Sequence, residues 1–337
     1  MRFFLTLPFV ACLVSAAHSD ELADPLTNDI VTTQILPAFT ALSDTADAFA
    51  ANAPEKCHSD PEAFKKSYGS TFDAWIRASH WRFGPTETDA RGFSLAFWPD
   101  NRGRIAKSVN GVLRSENRKI LEDGAFAQFS VAGKGFYALD HLLFDEAAQN
   151  LASADYRCDL ASAMAVDIAA TAQAIKDDWQ QNFTALMQAP SRRYQSTSEA
   201  HQELFKALGT GLQIIDELRL ARPLGSFDAP RPRRAEAWRS GRSQRHVILS
   251  LEALAPLAHR LSADAPELQL RLDAAFGRSL KRARALDDPT FAGVSDPQSR
   301  IRIEALKQSV VDLRNLVTTE LGPRLGVDAG FNSLDGD

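Results

Sequence analysis

Cysteine, methionine and tyrosine are scarce in this chain, at three, three and four among 337 residues. So few cysteines exclude a disulfide-dense scaffold. None has a second cysteine or a histidine at zinc-ligand spacing, apart from His58 directly after Cys57. Charge of neither sign dominates. The formal net charge is −5, and without a basic surplus no nucleic-acid partner is expected. Beyond the N-terminus no long apolar run occurs, so no membrane span is expected. Strand-like alternation is missing as well. The weak alternation from Arg91 to Phe97 stops at Pro99 and reads as an extended loop. Nor is there a Gly-x-Ser-x-Gly elbow, a His-Glu-x-x-His zinc helix or a glycine-rich phosphate loop; Gly133-Lys134-Gly135 is too short for the last.

What is present begins with an export signal at residues 1–19. Arg2 is its positive start, Phe3 to Ala17 carries no charge, and Ala17-His18-Ser19 offers small residues for cleavage. A periplasmic, cleaved protein follows from that. Lipidation at Cys12 would anchor the chain instead, but Phe9-Val10-Ala11 lacks the usual preceding Leu, and the signal would be short. In an oxidising compartment the remaining pair, Cys57 and Cys158, reads as one disulfide.

Helical periodicity dominates the rest. Ile30, Val31, Ile35, Phe39, Leu42, Ala46 and Phe49 form one stripe, which Pro37 is expected to kink. Asp60-Pro61-Glu62 opens a second helix that carries Phe64, Tyr68, Phe72, Trp75 and Ile76 and ends before Gly84-Pro85. Further stripes cover 159–188, 196–221, 236–262, 265–285 and 296–321. This predicts an all-α fold. Its length and short connections favour two antiparallel helical bundles, 20–190 and 191–337, divided near Ala189-Pro190-Ser191.

Four segments carry more polar chemistry than helix packing needs. They are His80–Pro85, Phe97–Arg104, Gly133–Phe144 and Glu236–Ser243. In the third, Tyr137 and Asp140 stand three apart and share a helix face. A carboxylate on so apolar a helix is either solvent-facing or paired, because an unpaired buried charge is costly. A partner arginine from another segment is the first expectation. His141 reads as a second ligand or, in the favoured reading, a satisfied edge histidine; His80, clustered with Trp81 and Arg82, reads as a site residue or a helix-end cap. Arg231, Arg233 and Arg234 read as solvated surface, whereas Arg239 and Arg242, beside Ser240 and Ser243 at a helix start, suit an anion.

In order and number these segments, with Tyr156-Arg157-Cys158 and Gly330–Asp337, resemble the imelysin family, in particular its predicted-lipoprotein branch. The resemblance covers nearly the whole exported chain. It implies an all-α fold of two helical bundles, a duplicated unit with a cleft between, and a link to bacterial iron acquisition. Founding members are described as metallopeptidases, with the signature Gly-x-His-x-x-Glu. Here Gly135, Tyr137 and Asp140 stand at those places. Neutral tyrosine is a far poorer ligand for a divalent metal than imidazole, although tyrosinate suits ferric iron. Peptidase activity is therefore not expected. The resemblance implies instead a non-catalytic protein that binds iron or another metal, as an ion or a small chelate, beside other envelope iron-uptake proteins. Asp140 and Tyr137 would face the metal. His80, Arg82, Trp98, Asp100, Arg102 and Gly135 would line the cleft from one side, and Arg239, Ser240 and Ser243 from the other. The competing expectations are a metal-dependent peptidase with a degenerate motif and an envelope interaction scaffold.

Overall fold

Proline and aspartate set many of the helix starts. In the computed structural model, which describes residues 24–122, 124–188 and 190–327, Asp60 caps α2 (Pro61–Ala78) by accepting from the Ala63 amide, with Pro61 at the first position. Asp296 does the same for α9 (Pro297–Leu316). The export segment, Cys12 and Gly330–Asp337 lie outside the described residues.

Before α2 runs α1 (Leu36–Ser59). The kink expected at Pro37 takes the form of a wide π turn, Val31–Ile35, just upstream, where the ladder relaxes around the missing N–H. Next come α3 (Arg104–Ser115), α4 (Gly135–Phe144) and α5 (Ala154–Asp178). Beyond the irregular 190–196 stretch follow α6 (Thr197–Gln213), α7 (Ser243–Leu261), α8 (Pro266–Arg284) and α9. Two local expectations are corrected. Arg91–Leu95 is a short helix, five residues being too few to show a helical period. The helix expected from Glu236 opens at Ser243, because Ala237 and Gly241 take positive φ and hold 236–241 as a turn.

Among the described residues there is no β-strand, only an isolated bridge between Ser226 and Ala229. Helix α1 packs on α2 and α5, α5 also on α4, and α7 on α8, which packs on α9. Helices α2 and α7 touch, and a single apolar cluster runs through both halves. The continuous helix Ala154–Gln188 is, by length and composition, apolar enough to cross a membrane, which the sequence reading missed. Much of that apolarity is alanine, and the helix packs into the core through Leu160, Met164, Ile168 and Ile175.

Cys57 and Cys158 are bonded, with Cα atoms 5.6 Å apart and a separation of 101 residues. The bond ties the last turn of α1 to the first of α5. A loop of that size removes about 4–5 kcal/mol of unfolded-state freedom in the chain-entropy treatment.

Candidate functional site

Helix α4 is aimed by Gly135. Its φ is +74°, and a Cβ there would lie 2.3 Å from the Ser94 carbonyl oxygen, so only glycine lets α4 start this close to the Arg91–Leu95 turn. From that start, Tyr137 and Asp140 project into the middle of the molecule, 7 % and 4 % exposed. Trp98 stacks on Tyr137 at 6.0 Å between ring centroids. These two rings separate two chambers. The smaller, about 240 Å³, is walled by Trp75, Arg82, Glu87, Phe93 and Arg219. The larger, about 580 Å³, takes in Asp100, Asp140, Asp145, Arg222, Arg234 and Arg239.

Tyr137 donates its hydroxyl to Glu236, which is 1 % exposed. The same carboxylate accepts from Arg219 Nε at 2.5 Å and lies 3.0 Å from His246 Nδ1. Arg219 also reaches Ser250 Oγ at 2.5 Å, and Ser243 Oγ donates to the Glu236 carbonyl at 2.6 Å. Burial alone would raise the Glu236 carboxyl, but the charges and hydrogen bonds of Arg219 and His246 hold it well below its usual range. Ionised Glu236 only accepts, so Nδ1 of His246 carries the proton. Burial, then the Glu236 charge, pushes the Tyr137 phenol well up, which keeps it a neutral donor.

Asp140 is built differently. The Tyr68 hydroxyl is shared between Oδ1 at 3.3 Å and the Phe136 carbonyl at 3.2 Å, and the Ser240 hydroxyl, which donates to the Ala237 carbonyl, lies close by. Among the described residues no arginine forms an ion pair with Asp140. Arg239, an expected partner, donates instead to Asp145 at 2.7 Å, and Arg242 to Asp73. Burial therefore raises the Asp140 carboxyl to about 6. Ser240, the nearby Arg239, Tyr68 and Arg242 offset only part of the rise. Asp145 goes the other way: burial raises it, but the Arg239 bond and His141 outweigh that and leave it lowered.

The expected cleft residues separate into three groups. Trp98, Asp100, Tyr137, Asp140 and Arg239 do line the larger chamber, and Arg82 the smaller. Asp100, however, spends its carboxylate on the amides of Arg102, Arg104 and Ile105, starting α3. Gly135, Ser240 and Ser243 act from behind as spacer and hydrogen-bonding supports. His80 and Arg102 lie elsewhere. His80 lines a separate groove beside Trp81 and Pro256, and burial lowers its pKa to about 3. Arg102 edges a shallow hollow with Phe97 and Pro99. His141 is not an edge residue: it is buried, with Nε2 2.8 Å from Asn110 Oδ1.

Four contributors were not foreseen as site residues: Glu236, Arg219, His246 and Tyr68. Arg219 carried little signal, because Asp216 and Glu217 stand in the same segment, Ile214 to Leu220, as nearer partners in sequence. Arg233 and Arg234, read as solvated surface, line the larger chamber, while Arg231 beside them does not.

The imelysin family model matches residues 33–317. The chain belongs to the imelysin family. Its fold is similar to that of an imelysin-like protein from Psychrobacter arcticum 273-4, with a TM-score of 0.78 at 18% identity, covering 92% of this chain and 99% of that one. It is also similar to a precursor from Parabacteroides distasonis ATCC 8503 named for iron-regulated protein A, with a TM-score of 0.67 at 12% identity, covering 87% and 92%. None of the curated proteins matches this chain.

Proposed function

We propose that this protein is a non-catalytic iron-binding accessory of the cell envelope, which takes iron or a related metal as a chelate in the Trp98–Tyr137 cleft. The observation that carries the reading is Asp140. It is a buried carboxylate facing a chamber of about 580 Å³, with a hydrogen bond from Tyr68 but no ion-pair partner among the described residues. A cation arriving there would supply the missing charge. Tyr137, whose hydroxyl proton goes to Glu236, serves as an aromatic floor.

Among the described residues no three His, Cys, Asp or Glu form a metal-ligand group. A single carboxylate does not fill a coordination sphere, so in this reading the other ligands arrive with the metal. The halves 20–190 and 191–337 act as two bundles walling the cleft, the first giving Trp98 and Asp140, the second Arg222 and Arg239. The named Parabacteroides relative lends the iron connection. The disulfide suits the oxidising periplasm that the N-terminal export signal implies.

The test is a titration of the purified protein with iron, as the free ion and as a ferric chelate, beside Asp140→Asn, which keeps the shape and loses the charge. Stoichiometric iron in the wild type, lost in the variant, supports the reading. Equal uptake by both, or none by either, removes it.

A further inference from the structure

The larger chamber holds more positive charge than its own carboxylates use. Arg239 is matched by Asp145 at 2.7 Å. Asp100 is committed to backbone amides. That leaves Arg222, Arg233 and Arg234, which have no ion-pair partner among the described residues. Arg222 donates to the Asn101 amide oxygen at 2.9 Å, and its buried Nε has no partner. Arg234 stands near enough that its charge, after burial, helps lower the Arg222 pKa.

Two indoles hold this group in place. The Arg222 guanidinium lies 5.6 Å from the Trp98 ring centroid, and Arg233 and Arg239 lie 5.8 and 4.6 Å from that of Trp238. These cation–π contacts hold the guanidiniums of Arg222 and Arg233 over ring faces, and the Arg222 Nε stays without a partner. Like charges gathered beside a cavity repel unless an anion completes them. A planar guanidinium fork matches a carboxylate through two parallel hydrogen bonds.

We propose that Arg222, Arg233 and Arg234 form a polyanion subsite, and that the ligand of the cleft is a polycarboxylate metal chelate. The carboxylates of the ligand meet the arginines, and its metal faces Asp140. This rests on the iron-cargo reading above and adds the class of chelator.

Calorimetric titration of the purified protein with ferric citrate, metal-free citrate and inorganic phosphate tests it. The proteins compared are the wild type, Arg234→Gln, the double variant Arg222→Gln/Arg234→Gln, Asp140→Asn and Arg231→Gln. Arg231 is exposed on the same loop but off the chamber, so its variant reports on the loop alone. Ferric citrate should bind about tenfold more weakly, or worse, in the double variant. It should weaken less in Arg234→Gln, and Arg231→Gln should match the wild type. Arg234 is itself exposed, which keeps the single variant informative if the double one folds poorly.

Unchanged ferric citrate binding in both chamber variants, or no citrate binding in any form, overturns the subsite. Phosphate binding as tightly as citrate overturns the polycarboxylate assignment. The two readings fail separately. If metal-free citrate binds as well as ferric citrate, and Asp140→Asn alters neither, the subsite stands and iron as cargo falls. If ferric citrate binds the wild type and the double variant alike but not Asp140→Asn, the cargo reading stands and the subsite falls.

Discussion

Two carboxylates lie buried on either side of the Tyr137 ring, and they are built in opposite ways. Glu236 is caged by Arg219, His246 and the Tyr137 hydroxyl, so its charge is met on every side. Asp140 has the Tyr68 hydroxyl as a neutral donor, with Arg239 and Arg242 close enough to act through charge but bonded to other carboxylates. A buried charge with a complete cage is a structural joint, here linking α4 to the 214–250 region. A buried charge without one is held there at a cost to stability, which makes it the better candidate for a job.

The largest effect should come from breaking the cage. Glu236→Gln leaves Arg219 and His246 facing a neutral amide, and an uncompensated buried cation costs about 3–5 kcal/mol. Chemical denaturation should show that loss, and a loss below about 1 kcal/mol would mean that water already shares the network.

Asp140→Asn should move the other way. The carboxyl titrates near 6 in the folded protein against an ordinary 3.8. The native state then holds this proton more tightly than the unfolded chain does. Stability therefore falls as pH rises from about 4 to about 6 and levels off above. The asparagine variant should lose that slope and gain about 2–3 kcal/mol at pH 7. Thermal melts at acid and neutral pH check both; destabilisation at pH 7 would return Asp140 to an ordinary structural role.

Gly135→Ala sharpens the contrast from below, by disturbing how α4 presents both groups. A side chain at positive φ, pressed on the Ser94 and Leu95 carbonyls, should cost about 1–3 kcal/mol. It should also weaken ligand binding, which a melt alone would not reveal. The smallest effect belongs to Tyr137→Phe. It removes one of the hydrogen-bond partners of Glu236 and should cost about 1 kcal/mol. A loss as large as that of Glu236→Gln would show that Tyr137, rather than Arg219, holds the carboxylate.

The helices were legible because their stripes are long and periodic, and α2 falls where Phe64, Phe72 and Trp75 put it. Tyr137 and Asp140 were legible because polar groups stand out on an apolar helix. The partners were not. Arg219 and His246 reach Glu236 from 17 and 10 residues away, through a turn whose shape depends on positive φ at Ala237 and Gly241. No local pattern encodes that geometry. The arginine that Asp140 was expected to have was spent on Asp145 instead. Composition can forecast that charges will pair; only the fold decides which.

The tryptophans give the cleft a further property. Of five in the chain, Trp81 and Trp179 sit deep in the core and Trp75 walls only the smaller chamber. Trp98 and Trp238, half-buried, face the larger chamber under guanidinium groups. A cation over an indole face changes the colour of its emission, and a ferric centre nearby extinguishes it. The cleft thus carries its own lamp, one that an incoming complex would dim while the core continues to glow.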